Sequence, residues 1–290
     1  MQVSMSTLTW LTFPSPGSGR PPIPYAAADL ESLLDAAVVA GFTAVGLDNV
    51  ALGDDLFSRE GRARIVAVVA ARELSVTDIG VLRIGTTDTR EQASATAELA
   101  GLLGVRSCMG IVDAPLTDTV IDEVRACAEI IAGGGARLDL EFMAYGPVPA
   151  ISDAVALSDT VGPSLLGIVV DSWHMMHGTP DWATLRALPA ERIGLVQISD
   201  GARRADDADE FFTASRWGRM PPGHGAFDFR PFRDAWYARP GFSPSLRDRG
   251  VSTRDLDLLR QDVLDDALPQ VSWIVATAEG SEHPGPSSPA

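Results

Sequence analysis

The chain has 290 residues, of which 46% are hydrophobic and 21% are charged, a composition that supports one sizeable folded core and excludes a disordered chain. Its formal net charge of −16 at pH 7 argues against nucleic acid and anionic membrane partners, because an acidic surface repels phosphate groups. Two cysteines and no apolar stretch of about 18 residues predict a cytoplasmic protein with neither a disulfide framework nor a membrane span.

Strand-like runs alternate with amphipathic helical stretches, at a spacing of about 30 residues that is typical of parallel βαβ units. In chain order the strand-like runs are VSMSTLTWL, FTAVGLDNV, LSVTDIGVLRI, VRSCMGIVD, RLDLEFMAY, LLGIVVDSW and RIGLVQISD. No G-x-G-x-x-G motif follows the first run, which argues against an open dinucleotide-binding sheet. The pattern therefore predicts an α/β fold with a single (β/α)8 TIM barrel.

The eighth strand is the least marked, and two segments compete for it, GFSPSLRDR and VSWIVATAE. We expect the barrel domain to occupy residues 1–279. The last segment, GSEHPGPSSPA, is rich in Pro, Ser and Gly and predicts a disordered tail over residues 280–290.

Polar side chains stand where three consecutive strands are expected to end. Glu141 ends the fifth run, Asp171 and His174 follow the sixth, and Gln197 and Asp200 close the seventh. In a TIM barrel the carboxyl ends of the strands form the open face that carries the active site. These five residues therefore predict a functional site at that face.

Four segments carry a family resemblance: LEFMAYG, VVDSWHMMHG with its D-x-x-H pattern, IGLVQISDG, and GRMPPGHGAFDF, which is similar to an R-x-P-G-x-G-x-x-D motif. Their order and spacing resemble the xylose-isomerase-like TIM barrel superfamily. This group includes sugar phosphate isomerases and epimerases as well as inosose and 3-dehydroshikimate dehydratases. The resemblance extends from about Thr7 to Phe232.

The resemblance implies a divalent metal held by Glu141, Asp171 and Gln197. Oxygen ligands of this kind suit Mg²⁺ or Mn²⁺. The family's fourth ligand is a strand-eight Glu, and the best alignment puts Arg247 in its place, with Asp248 and Glu279 as alternative ligands. The sequence thus predicts a metal site that is weak or lost.

The resemblance also implies chemistry that begins with proton removal next to a carbonyl group. Glu141 and His174 are the catalytic candidates, and His174, Arg216, Arg219 and Arg247 are the candidates for substrate binding. For Arg216 and Arg219 the competing interpretation is pairing with the acids of ADDADEFF.

The predicted function is that of an isomerase, epimerase or dehydratase acting on a small polyhydroxylated or cyclic carbonyl compound. The alternatives are a metal-free relative in a specialised pathway and a non-catalytic ligand-binding barrel. The expected partner is a small-molecule substrate, and a homodimer stays an alternative.

Two further histidines have plainer interpretations. His177 lies beyond the strand end and is expected to be a solvated loop residue. His224 lies on a glycine-flanked loop and is expected either to contact substrate or to be part of the loop alone.

Overall fold

The computed structural model describes residues 2–7, 11–12, 23–24, 30–85, 89–202, 214–215, 218–220, 223–239 and 274–277. Within these ranges eight strands form a closed barrel surrounded by helices, which confirms the predicted TIM barrel. The predictions that lie outside the described residues concern the expected tail and the following side chains: Arg216, Arg247, Asp248 and Glu279.

The strands are numbered in chain order. They are β1 (Gln2–Ser6), β2 (Leu11–Thr12), β3 (Ile23–Pro24), β4 (Ala44–Asp48), β5 (Ser75–Ile84), β6 (Ser107–Val112), β7 (Arg137–Glu141), β8 (Leu166–Asp171), β9 (Ile193–Ile198), β10 (Asp200–Gly201), β11 (Arg219–Met220) and β12 (Ile274–Thr277). The barrel order is β1, β12, β9, β8, β7, β6, β5, β4, and β2–β3 and β10–β11 form separate two-stranded pairs.

The described helices follow the strands in alternation. They are α1 (Leu30–Val39), α2 (Asn49–Leu52), α3 (Arg59–Ala70), α4 (Thr89–Leu103), α5 (Asp118–Gly133), α6 (Ile151–Val161), α7 (Ser172–His177), α8 (Trp182–Ala187) and α9 (Phe229–Tyr237). Short 3-10 turns cover Gly53–Phe57 and Ala190–Arg192. In the part of the chain that the structure describes, every helix is too short or too polar to span a bilayer.

Burial explains why the central strands are continuous apolar runs. Every residue of β6 and of β8 is buried, as expected for parallel strands that are covered on both faces. Helix α5 begins where the Thr117 hydroxyl accepts a hydrogen bond from the Val120 amide at 3.3 Å. Strand ends and helix starts are therefore fixed by local chemistry, and this places the strand-end side chains at one face.

Strand β12 closes the barrel in the opposite direction to its neighbours. It is antiparallel to β9, with Ile274 beside Ile198 and Thr277 beside Leu195, and antiparallel to β1 as well. The closing strand thus comes from VSWIVATAE, one of the two predicted alternatives. Because it runs backwards, it ends at the face of the barrel opposite to the carboxyl ends of β7, β8 and β9.

A layer of polar side chains fills part of the barrel interior. Asp139 accepts hydrogen bonds from Ser107 and, at 2.7 Å, from the Nε of Arg137. Glycines make room for this carboxylate: a Cβ added to Gly194 would lie 1.9 Å from Asp139 Oδ2. Since Asp139 and Glu141 are two residues apart on one strand, both side chains point to the same, inner side of the barrel.

Asp78 belongs to the same polar layer and predicts an unusual dependence of stability on pH. The Thr77 hydroxyl donates to its Oδ1 at 2.6 Å, yet burial, with the charge of Asp139 adding to it, raises the pKa of Asp78 from 3.8 to about 6. The folded protein therefore holds a proton that the unfolded chain releases. This contribution to stability is fully present below pH 3.8 and is lost as the pH rises through about 6.

We expect Asp78→Asn to remove this dependence, because an amide accepts the Thr77 hydrogen bond without titrating. The difference in unfolding free energy between variant and wild type should change by up to about 3 kcal/mol between pH 4 and pH 7 in favour of the variant. Urea denaturation across this range measures it. Asp122→Asn, at an exposed site on α5, is the control and should follow the wild-type curve. Parallel curves for Asp78→Asn and wild type would contradict the prediction.

Candidate metal and carboxylate site at the barrel mouth

The turn between β8 and α7 places two of the predicted site residues. Asp171 ends the strand and also caps the helix, since its Oδ1 accepts a hydrogen bond from the Trp173 amide at 2.7 Å. His174 lies three residues later, so its side chain is on the same side of the first helical turn as the cap. The D-x-x-H pattern is thus a helix start that sets a carboxylate beside an imidazole.

Strand register brings the other predicted ligands to this turn. Gln197 on β9 pairs with Asp171 on β8, and Glu141 on β7 pairs with Val169 of β8. One potential ligand atom from each of Glu141, Asp171 and His174 lies within 4.8 Å of the others, and all three residues are buried. The structure therefore brings together three of the five strand-end residues that the sequence singled out.

His174 is held in one orientation between aromatic edges. Its Nδ1 accepts a hydrogen bond from the Ala144 amide at 3.3 Å, which leaves Nε2 as the protonated nitrogen of the neutral ring. This Nε2 lies 3.7 Å from Glu141 Oε1 and 3.8 Å from Asp171 Oδ2. Burial lowers the pKa of His174 to about 3, so the ring is neutral and presents an N–H to the carboxylates.

The two carboxylates differ in their electrostatic environments. Burial, together with the charge of Asp171, raises the pKa of Glu141 well above its ordinary value. Burial acts in the same direction on Asp171, but Arg219, His174 and the Trp173 amide together outweigh it and hold the pKa of that carboxyl below its usual range. Two neighbouring acids with pKa values pushed apart can divide the roles of proton carrier and fixed charge.

The oxygen atoms of the site fit a divalent cation. Glu141 Oε1 and Gln197 Oε1 are buried and find no hydrogen-bond partner among the described residues. The amide nitrogen of Gln197 points the other way, 3.2 Å from the sulfur of Met109. Buried oxygens without donors are costly unless a cation or water meets them, so these residues fit the predicted oxygen-rich metal site.

Arg219, predicted to bind substrate, begins strand β11 and contacts the site through Asp171. Its Nη2 lies 2.8 Å from Asp171 Oδ2, and both side chains are fully buried. Its Nε donates to the Ser215 carbonyl and its Nη1 to the Ser199 hydroxyl, each at 2.9 Å. Substrate binding by Arg219 stays a prediction, and its established contacts are with the protein.

Asp200, the last of the strand-end acids, organises a loop. Its carboxylate accepts hydrogen bonds from the amides of Gly201 at 2.8 Å, Gly223 at 2.9 Å and Phe227 at 3.0 Å. Residues 223–227 are thereby attached to the barrel beside the site. His224 on this loop is exposed.

The expectation for His177 was wrong. The ring is buried and stacks on Trp173 with centroids 3.9 Å apart, while Phe227 meets its edge at 5.0 Å. Helical spacing accounts for this position, because His177 lies one turn after Trp173. Sequence reasoning also missed the roles of Ser199, whose hydroxyl accepts a hydrogen bond from Arg219, and of Ser215, which does so through its backbone carbonyl.

A closed barrel with carboxylates, an imidazole and an amide at its carboxyl-terminal face defines the class of protein. Residues 34–238 match the model of the family described as Xylose isomerase-like TIM barrel, and the chain belongs to this family. Residues 212–290 also match a second family, described as Phosphoesterase family.

Two curated relatives reflect these two matches. The chain is 34% identical over 112 residues to a 3-dehydroshikimate dehydratase of Pseudomonas aeruginosa, which covers 38% of this chain and 17% of the relative. It is 70% identical over 40 residues to a non-hemolytic phospholipase C of the same organism, which covers 14% of this chain and 6% of the relative. The matched parts are thus small fractions of both relatives.

Solved structures share the fold at low identity. The probable 3-DHS dehydratase AsbF from Bacillus anthracis is 14% identical with a TM-score of 0.61, covering 89% of this chain and 98% of that one. The IOLI protein, solved with a binding zinc atom, is 15% identical with a TM-score of 0.59, covering 83% of this chain and 95% of that one.

The two family matches overlap over residues 212–238. The barrel-family match ends at residue 238, whereas β12 lies within the phosphoesterase-like segment. The strand that closes the barrel therefore lies outside the part of the chain that matches the barrel family. Its sequence, IVAT, contains no carboxylate.

Proposed function

We propose that this chain is an enzyme that removes a proton next to the carbonyl group of a small polyhydroxylated or cyclic compound. The observation that carries the proposal is the buried cluster of Glu141, Asp171 and His174, whose ligand atoms lie within 4.8 Å of one another. The similarity to a 3-dehydroshikimate dehydratase supports the same class of reaction.

Glu141 is the proposed proton acceptor. Its raised pKa, caused by burial and the charge of Asp171, makes this carboxylate a stronger base than an ordinary glutamate. His174 presents its Nε2–H to the same space and would donate a hydrogen bond to the oxygen that becomes negative as the proton leaves. Asp171 stays ionised beside Arg219 and supplies fixed charge.

The oxygens of Glu141, Asp171 and Gln197 would hold Mg²⁺ or Mn²⁺. When bound, such an ion polarises a carbonyl group and stabilises the negative charge of an enolate. Because Asp171 is paired with Arg219, the described cluster leaves one carboxylate, Glu141, for proton transfer. Isomerisation or loss of water with a single base is therefore favoured over epimerisation, which uses a second carboxylate on the opposite face of the substrate.

We further propose that the barrel domain extends to residue 279, with β12 supplied by the phosphoesterase-like segment. The site residues described above come from β7, β8, β9 and the segment that follows, and all of them lie within the barrel-family match. The match to phospholipase C covers 6% of that relative, and we propose no phosphoester hydrolysis for this chain.

Proton exchange with solvent tests the proposal without a known product. The purified chain, loaded with Mn²⁺ and then transferred to Mg²⁺, is incubated in D2O with 3-dehydroshikimate and with a panel of ketoses. Proton NMR then follows the C–H signal next to each carbonyl. We expect exchange in at least one compound, with loss of water if the substrate resembles that of the dehydratase. A chain that binds the ion but exchanges no proton in any compound would favour the non-catalytic alternative.

A further inference from the structure

Arg219 contacts Asp171 Oδ2, the carboxylate oxygen that lies 3.8 Å from His174 Nε2. Its guanidinium is fixed by three groups: the Ser215 carbonyl at 2.9 Å, the Ser199 hydroxyl at 2.9 Å and Asp171 Oδ2 at 2.8 Å. It also lies 5.2 Å from the centroid of the Trp173 ring. A planar group held in this way is part of the folded site and not a loose surface side chain.

This contact engages the second oxygen of Asp171. The first already accepts the Trp173 amide at 2.7 Å. A divalent cation that coordinated Oδ2 would share that atom with the Arg219 guanidinium, and repulsion between two positive charges is poorly screened in a buried site. Within the described cluster, Glu141 is the one further carboxylate that could offset this repulsion. No third carboxylate belongs to the cluster among the residues that the structure describes.

We propose that Arg219 is the built-in counter-ion of Asp171 and competes with the divalent cation, so that this one side chain sets the metal affinity of the site. The inference rests on the ligand set of the proposed function but on no reaction. The sequence had suggested that a positive charge weakens the metal site, and assigned it to Arg247. The described structure provides such a charge at Arg219.

The test is binding of Mn²⁺ alone to the full chain, measured by electron paramagnetic resonance at fixed ionic strength and without substrate. We expect Arg219→Met to bind one Mn²⁺ per chain at least about tenfold more tightly than wild type, because the competing charge is gone. Arg230→Met is the matched control, since Arg230 is an exposed arginine on α9 and should leave the affinity unchanged. Adding Asp171→Asn should abolish the gain.

Removing Arg219 also leaves Asp171 buried without its partner, so Arg219→Met should have a lower melting temperature than wild type in EDTA. Adding Mn²⁺ should raise the melting temperature of the variant more than that of wild type. Equal or weaker Mn²⁺ binding by Arg219→Met overturns the proposal. If that variant does not fold, Arg219→Gln replaces it, because the neutral amide can still donate hydrogen bonds while the competing charge is gone, and severalfold tighter binding is then expected. Affinity equal to or below that of wild type would overturn the proposal in this variant too. Both measurements stand whether or not the chain exchanges substrate protons.

Discussion

Replacing Glu141 by Gln is expected to reduce solvent exchange of the substrate proton by a factor of about 100 or more, the usual contribution of a positioned general base. The amide keeps the shape of the side chain, which is buried on the inner side of β7, but it cannot accept a proton. Glu129→Gln, an exposed change on α5, is the control and should leave exchange unaltered.

His174→Gln separates the two catalytic candidates. A glutamine side chain can still donate a hydrogen bond to the substrate oxygen that becomes negative. This variant should therefore keep more residual proton exchange than Glu141→Gln. Mn²⁺ binding is measured for both variants, because Glu141 is also a proposed metal ligand and a weakened metal site would lower proton exchange as well. If Glu141→Gln retained full exchange while His174→Gln lost it, His174 would be the base and our assignment of roles would be reversed.

Gly194→Ala is expected to destabilise the barrel by at least about 3 kcal/mol, since overpacking and the disruption of a buried ion pair act together. The added Cβ would lie 1.9 Å from Asp139 Oδ2 and 2.0 Å from its Cγ. The carboxylate would have to leave its contacts with Ser107 and Arg137. Urea denaturation measures the loss, and failure to accumulate as a soluble protein would be its extreme form.

Gly133→Ala is the matched control for this prediction. Gly133 is the last residue of α5, and a Cβ there meets nothing within 4 Å, so alanine should be neutral or stabilise by up to about 1 kcal/mol. A double-mutant cycle then identifies the cause. On an Asp139→Ala background, Gly194→Ala should cost much less; strictly additive losses would show that contact with the carboxylate is not the reason.

Much of the site could be predicted because its residues obey local rules. Glu141, Asp171 and Gln197 each end an apolar run, and parallel strands bring such ends to one face. The spacing of Asp171 and His174 is likewise set by one helical turn. These inferences needed only the order of elements along the chain.

The remaining features depend on contacts between distant parts of the chain, which periodicity does not report. Asp200 holds the amides of Gly223 and Phe227, and Asp139 needs the space that Gly194 leaves. His177 was expected in solvent because it lies beyond the strand end, and Phe227, which meets the edge of its ring, is 50 positions away. The direction of β12 was equally hidden, since an apolar run has the same composition in a parallel and an antiparallel strand.

The position of β12 has a consequence for the order in which the barrel assembles. Its pairing joins residues 2–5 with residues 274–277, whereas β5 and β6 pair through contacts such as Asp78 with Ser107. Closing the longest loop carries the largest entropic cost, and the consecutive parallel units can form before it. We therefore expect the pairing of β12 to form last and open first, so that its amides exchange hydrogen ahead of those of the central strands.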